Sequence, residues 1–168
     1  MILSTGQGMA AASVAAGIGV RPAVTLAGWA GLTTDHRVVA DAHLATGIEG
    51  IVAASDSARR PDTGIGQLLR VEHWAIAERQ GQVAARNMLM QHQRFDAVPF
   101  FRSPHYDTTI AYVADVDTWD RLDIDGDPAA HDRKATFWRG GRRHAVVTVG
   151  RDRDSLRAEA AFEQEGGA

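Results

Sequence analysis

Residues 67–90, QLLRVEHWAIAERQGQVAARNMLM, carry one long helical pattern. Small and apolar residues recur in it at steps of three and four, which places them on one face of an α-helix. These residues are Trp74, Ala77, Gly81, Ala84 and Met88. Gly81 lowers helix propensity by roughly 1 kcal/mol relative to alanine. We therefore expect something bulky or another backbone to approach this face closely, either a packed sheet or a flat cofactor that lies over the helix start.

Upstream of this helix, short apolar runs alternate with glycine turns, as they do in α/β units. The pattern predicts a strand that enters a glycine turn at 13–22, a short helix at 23–32, a short strand at 37–40 and a buried strand at 50–55. Downstream it predicts strands at 108–116 and 121–127, a hairpin with a Gly-Gly turn at 133–149, and a closing helix at 154–165. The predicted fold is α/β in residues 1–95 and a small antiparallel α+β unit in residues 96–168.

Asp56 ends the apolar run of the segment GIEGIVAASDSARRPD, residues 47–62. An uncompensated carboxylate is costly at the end of a buried strand. In doubly wound sheets, ligands bind beyond the carboxyl ends of the strands, where an acid can accept hydrogen bonds from ligand hydroxyl groups. A helix N-cap or a turn would use the same residue type. The position of Asp56 leaves both interpretations open.

The composition of the chain limits the binding partners and the site chemistry that we expect. The net charge is −3 and the basic residues are scattered among acids, so we expect neither a nucleic-acid nor a membrane partner. The uncharged first twenty residues lack a basic n-region and contain repeated glycine, which predicts the start of a soluble fold. The chain has no cysteine, which excludes disulfides and fits the cytoplasm. Its seven histidines lack metal-ligand spacing, so no metal site is expected.

Four blocks of sequence carry a resemblance to a known family. They are GIGVRP (17–22), IVAASDSARRPD (51–62), RVEHWAIAERQGQVAARNML (70–89) and FDAVPFFRSPHYD (95–107). In this order they resemble the C-terminal stretch of the FAD-dependent, NAD(P)H-using ferredoxin and rubredoxin reductases, which are relatives of the pyridine-nucleotide disulfide oxidoreductases and of apoptosis-inducing factor. The resemblance implies the end of an NAD(P)-binding domain and the last segment of an FAD-binding domain in 1–95, which together form an incomplete Rossmann-like portion. It implies a C-terminal reductase domain, for dimerisation or acceptor contact, in 96–168.

The resemblance also implies roles for individual residues. Asp56 would bind the ribityl chain of FAD. Glu72, His73 and Trp74 would open the helix under the flavin ring, where backbone N–H groups and the helix dipole favour negative charge on the reduced ring. Trp74 would lie between the flavin and the electron acceptor. Gly17 and Gly19 would let the backbone approach the nicotinamide nucleotide.

The implied reaction passes hydride from NAD(P)H to FAD, and single electrons then leave to a ferredoxin or rubredoxin-like carrier. The chain departs from the family pattern at Ser55, which stands in place of a glycine, and at Arg102, Pro104 and His105, which stand in place of tryptophan, aspartate and glutamine. GQGMAA (6–11) has the spacing of a dinucleotide fingerprint, but no adequate strand precedes it and no acid follows about twenty residues later.

Two functions therefore stay open. The chain either serves an FAD-dependent oxidoreductase or is a non-catalytic, cofactor-free module that folds or dimerises through its C-terminal domain. In both cases we expect exposed sheet edges and apolar helix faces to promote association, as a homo-oligomer or with an N-terminal partner chain.

Overall fold

The computed structural model of the chain describes residues 2–61, 68–69, 71–127 and 129–166. Its elements up to residue 88 are α1 (Thr25–Trp29), β1 (Val38–Val39), a 3-10 helix (Ser55–Ser57), β2 (Ala58–Pro61), β3 (Leu68–Leu69) and α2 (Trp74–Met88). The elements that follow are β4 (Phe100–His105), β5 (Thr108–Ala114), β6 (Arg121–Asp127), β7 (Asp132–Arg139), β8 (Arg142–Val149) and α3 (Asp152–Gly166).

The first three strands form a small mixed sheet in the order β1-β2-β3. β1 runs parallel to β2, and β3 runs antiparallel to β2. Val38, Ala40, Ala53 and Ala58 form a buried cluster in this region, on which apolar residues around α1 pack. The predicted short helix at 23–32 and short strand at 37–40 are confirmed as α1 and β1.

Two predicted strands of the first part are wrong. Residues 13–22 form exposed chain with no ladder partner among the described residues. Residues 50–55 form no strand either, because Val52 makes only a single antiparallel bridge to Ala45. The extended run ends at Ser55, whose φ of 67° lies in the left-handed region and turns the chain into the 3-10 helix. The apolar character of both segments, without alternation or a partner strand, was insufficient to specify a strand.

α2 confirms the helical pattern over Trp74–Met88 but buries a different face, and Leu68–Leu69 of the same pattern form β3 instead. Its buried residues are Ile76, Gln80, Val83 and Ala84, and the core around them includes Leu44 and Phe95. By contrast, Trp74 is 73% exposed and Met88 is 65% exposed. Apart from its chain neighbours and the backbone of its own helix, no described residue lies within 4 Å of a Cβ built on Gly81. The prediction that a sheet packs on the Trp74–Met88 face is wrong, because the spacing of Ile76, Gln80 and Val83 fits a helix face equally well. The alternative, that a flat cofactor lies over the helix start, stays a prediction.

The remaining strands form one antiparallel sheet in the order β4-β5-β8-β7-β6. The β7–β8 hairpin turns at Gly140 and Gly141, with φ of 58° and 75°, as a type I′ turn requires. α3 packs across β5 and β8, and Val113, Val146 and Ala158 form the buried cluster between them. The antiparallel α+β part of the fold is thus confirmed. The boundary between residues 95 and 96 stays a prediction.

β4 was not predicted, because Pro99 directly precedes it and Pro104 lies within it. Pro104 is tolerated since β4 is an edge strand and a proline there need not donate to a ladder. Within the described ranges, no helix is both long and apolar enough to cross a membrane.

Candidate functional site

Asp56 lies inside the 3-10 turn that connects the Ala53 region to β2. The helix-capping interpretation is not met, because the N-cap position of this turn is Ala54 and makes no side-chain cap. The carboxylate of Asp56 is half-buried, and no described residue donates a hydrogen bond to it. It is therefore available to accept hydrogen bonds from a ligand.

The peptide before Asp56 is held by α2. The N–H of Ser55 donates a 2.6 Å hydrogen bond to Oε1 of Gln80, which is 4% exposed. The positive φ of Ser55 explains why a glycine suits this position, since glycine adopts the left-handed region without a steric cost.

Arg37 brings Asp56 and Glu72 together, and sequence reasoning missed it. Its side chain is buried, its Nε donates a 2.7 Å hydrogen bond to the carbonyl oxygen of Asp56, and its Nη2 pairs with the Glu72 carboxylate. A buried guanidinium needs an acidic partner because its desolvation is costly. The sequence did contain a signal for this role, because Arg37 is a charged residue directly before the partly buried strand Val38–Val39.

His73 and Trp74 form the start of α2. His73 is the N-cap residue in an extended conformation, and its Nδ1 accepts a 3.3 Å hydrogen bond from the N–H of Ala75. Trp74 follows with an indole that is 73% exposed and belongs to none of the buried apolar clusters of the described residues. By helix geometry, the N–H groups of Trp74 and Ile76 have no intrahelical acceptor.

An aromatic row, defined here as Trp74, His73, Phe101 and Tyr112, connects the helix start to β4 and β5. The ring centroids of Trp74 and His73 lie 5.9 Å apart, those of His73 and Phe101 lie 5.2 Å apart, and those of Phe101 and Tyr112 lie 5.1 Å apart. Burial raises the pKa of Tyr112, and the negative charge of Asp115 raises it further. The phenol therefore stays neutral at physiological pH, and the row carries no charge at that end.

Gly17 and Gly19 are not brought to this site by any described contact. Both lie in the exposed chain that precedes α1, and no described atom is within 4 Å of a Cβ built on either. Gly19 has a φ of 81°, which favours glycine there.

The family departures on β4 divide between the two faces of the sheet. Arg102 forms a 3.3 Å ion pair with Asp152 at the start of α3. Nε2 of His105 lies 2.9 Å from Oγ of Ser103, on the same face of β4 as Phe101. Arg102 therefore serves the α3 side, whereas His105 lies on the side of the aromatic row.

The residues around Asp56 and Trp74 fit one portion of FAD. A free half-buried carboxylate suits the ribityl hydroxyls, and an exposed indole beside unpaired helix N–H groups suits a flat ring that gains negative charge on reduction. Residues 6–11, with their formal fingerprint spacing, lie in exposed chain and form no phosphate-binding turn between a strand and a helix. The described part of the chain contains no group of three or more acidic or histidine side chains suited to hold a metal ion.

Known proteins share this arrangement of elements. No protein-family model matches the chain. The ferredoxin-NAD(+) reductase component of the anthranilate 1,2-dioxygenase system from Burkholderia cepacia is 33% identical over 143 residues, which cover 83% of this chain and 35% of that protein. Putidaredoxin reductase from Pseudomonas putida is 30% identical over 151 residues, which cover 90% of this chain and 36% of that protein.

The solved structure of putidaredoxin reductase in covalent complex with putidaredoxin matches with a TM-score of 0.89 and 28% identity, over 96% of this chain and 39% of that chain. The chain is homologous to the C-terminal part of the ferredoxin reductases. The family resemblance of the four sequence blocks is thereby confirmed. The chain spans little more than a third of the length of these reductases.

Proposed function

We propose that the chain provides the flavin-closing and acceptor-contacting part of an FAD-dependent ferredoxin reductase. The observation that carries this proposal is the junction at Arg37, which joins the Asp56 turn to the Glu72 side of the helix start in a chain homologous to such reductases. When bound, FAD would accept hydride from NAD(P)H and release single electrons to a ferredoxin or rubredoxin-like carrier. Residues 1–95 would complete the nucleotide-binding domains, and residues 96–168 would form the C-terminal reductase domain.

The residues of the chain would bind and orient the cofactor. The Asp56 carboxylate would accept hydrogen bonds from ribityl hydroxyls, since no described group occupies it. The N-terminus of the 15-residue helix α2 would stabilise negative charge on the ring through its unpaired N–H groups and its dipole. The indole of Trp74 would cover the ring and exclude water. Gly17 and Gly19 would allow close approach of the nicotinamide nucleotide.

Two observations favour the second candidate, a non-catalytic association module. Ser55 places a side chain where the reductases have glycine, and apolar side chains around α1 are widely exposed. Ile18, Val20, Leu26 and Trp29 are 91%, 72%, 75% and 82% exposed. An apolar surface of this kind favours association. We therefore propose that the chain associates through this surface, as a homo-oligomer or with an N-terminal partner chain.

The cytoplasmic location and the absence of nucleic-acid and membrane partners stay predictions. Fractionation of the source cells, with the chain followed by antibody in soluble and membrane fractions, tests the cytoplasmic location and the absence of a membrane partner.

The proposed function is tested by titrating FAD into the purified chain while tryptophan fluorescence is recorded. The wild-type chain should show saturable quenching, and Asp56→Asn should weaken the apparent affinity at least tenfold. Asp35→Asn is the matched control, because Asp35 is an exposed acid that pairs with Arg59 outside the site. Equal affinities for both variants, or no saturable quenching of the wild-type chain, would favour the non-catalytic module.

A further inference from the structure

We infer that Arg37 is a positioning residue, which couples the turn that carries Asp56 to the start of α2 at Glu72–Trp74. This inference rests on the proposed function, because it assigns to Arg37 the task of holding both parts of the flavin-binding surface in one arrangement. Arg37 itself would contact no cofactor.

Arg37 is buried, and its two polar contacts replace the water that its guanidinium has lost. The residue is 6% exposed, so its guanidinium has lost most of its hydration. Nε donates to the carbonyl oxygen of Asp56 at 2.7 Å, while Nη2 pairs with Glu72. Because the guanidinium is planar and rigid, these two bonds fix the relative positions of their acceptors.

The turn at Asp56 is held from two sides. Arg37 binds the carbonyl of Asp56 from the start of β1, and Gln80 of α2 binds the N–H of Ser55 at 2.6 Å. Both ends of this short segment are therefore fixed by buried side chains. The carboxylate of Asp56 is carried by backbone that has little freedom to move, as a binding residue requires.

The start of α2 depends on the second contact of Arg37, the pairing of Nη2 with the Glu72 carboxylate. Glu72 directly precedes His73, the N-cap residue, and Trp74, the first residue of α2. Its pairing with Arg37 holds the backbone just before the cap. It also compensates the Glu72 carboxylate, which would otherwise repel negative charge that develops above the helix start.

The first test follows Trp74 directly in the full chain labelled with 5-fluorotryptophan. The chain has four tryptophans, so ¹⁹F NMR gives four resonances, and Trp74→Phe assigns that of Trp74. Arg37→Met should shift the Trp74 resonance, and Arg37→Lys should shift it less because the charge is retained. Arg59→Met is the matched control, since Arg59 lies on β2, pairs with Asp35 and contacts neither Asp56 nor Glu72. It should leave the Trp74 resonance unchanged.

The second test measures FAD affinity for the same variants at a temperature where circular dichroism shows each to be folded. Arg37→Met should weaken FAD binding about tenfold or more, while Arg59→Met should match the wild type. Glu72→Gln provides a second variant that leaves the buried arginine in place, and it should shift the Trp74 resonance in the same direction. A Trp74 resonance that responds to Arg37→Met and Glu72→Gln no more than to Arg59→Met would overturn the inference. Absence of FAD binding by the wild type would instead contradict the proposed function, while the resonances would still decide the role of Arg37.

Discussion

The backbone N–H of Ser55 donates a hydrogen bond to the buried side-chain oxygen of Gln80, across 2.6 Å and 25 residues of sequence. This bond attaches the turn that carries Asp56 to the middle of α2. The candidate site is thus held by polar groups inside the protein. Its integrity should be sensitive to changes that leave the apolar core untouched.

Gln80→Leu keeps the approximate side-chain volume but leaves the N–H of Ser55 without its acceptor. We expect the free energy of unfolding to fall by about 1–3 kcal/mol, the cost of an unsatisfied buried donor. Urea denaturation followed by circular dichroism measures this change. Gln82→Leu, on the exposed side of the same helix, is the control and should change stability by less than about 0.5 kcal/mol. Equal losses for both variants would show that this hydrogen bond contributes nothing.

Ser55→Gly should relieve the left-handed backbone conformation of this residue. A side chain in that region costs about 1–2 kcal/mol, and glycine costs roughly 0.5–1 kcal/mol in chain entropy, so a small net stabilisation is expected. Ser55→Ala retains Cβ and should resemble the wild type in denaturation. FAD affinity should also rise in Ser55→Gly, because the variant restores the glycine of the reductases. A variant less stable than Ser55→Ala would contradict this account.

Trp74→Phe should alter the free energy of unfolding by less than about 0.5 kcal/mol, because the indole is 73% exposed. It should nevertheless abolish most of the fluorescence quenching by FAD. Trp119→Phe is the contrasting variant, since Trp119 packs edge-on against Phe137 at a centroid distance of 5.0 Å. That variant should lose stability and keep the response to FAD. The reverse pattern would assign Trp74 a structural role.

Acid should weaken the contacts that join β6, β7 and the start of α3. Hydrogen bonds from Arg151 hold the pKa of the Asp125 and Asp132 carboxyls below the ordinary value. Because the pKa values of both carboxyls are lowered on folding, these groups stabilise the fold at any pH above their unfolded pKa of about 4. The stabilisation is lost as the pH falls through the lower pKa values of the folded state.

The destabilisation caused by Arg151→Met should accordingly be larger at pH 7 than at pH 3 in chemical denaturation. Asp123→Asn on the same exposed strand is the control, because Asp123 pairs with Arg121 and not with Arg151. A destabilisation by Arg151→Met that does not depend on pH would contradict the assignment of these pKa shifts to Arg151.

Association should depend on the exposed apolar surface of α1. Size-exclusion light scattering of the wild type should give a mass above that of the 18.1 kDa chain. Replacing Leu26 and Trp29 together by glutamate should move the mass toward that of a monomer, whereas Leu156→Glu, on the exposed side of α3, should leave it unchanged. A wild-type chain that elutes as a clean monomer would refute the prediction.

The antiparallel part of the fold was predictable because its signals are local. The Gly140–Gly141 turn sits between alternating strands, and hairpins of this type fix their own register. β4 was not recognised because Pro104 argues against a strand, and only the edge position of β4 makes this proline acceptable. Edge position is a property of the assembled sheet, which the sequence of β4 alone does not carry.

Only part of the candidate site could be predicted, because its contacts also depend on the assembled fold. Asp56, Glu72, His73 and Trp74 were selected by resemblance, and the structure places them around one junction. Arg37, which makes that junction, is separated by 19 and 35 residues from its two partners. No short pattern connects them. The buried face of α2 was misassigned because two neighbouring stripes of the helix share Ala84, and the core residues Leu44 and Phe95 pack on the stripe that contains Ile76 and Val83.

The central claim is that this chain forms part of a flavin site. The most direct measurement is an absorbance spectrum of the purified chain after incubation with FAD and removal of free FAD by gel filtration. We expect oxidised-flavin absorbance to coelute with the wild-type chain and to be lost from Asp56→Ala. Elution of the wild-type chain without flavin absorbance would contradict it and leave an association module derived from a reductase fold.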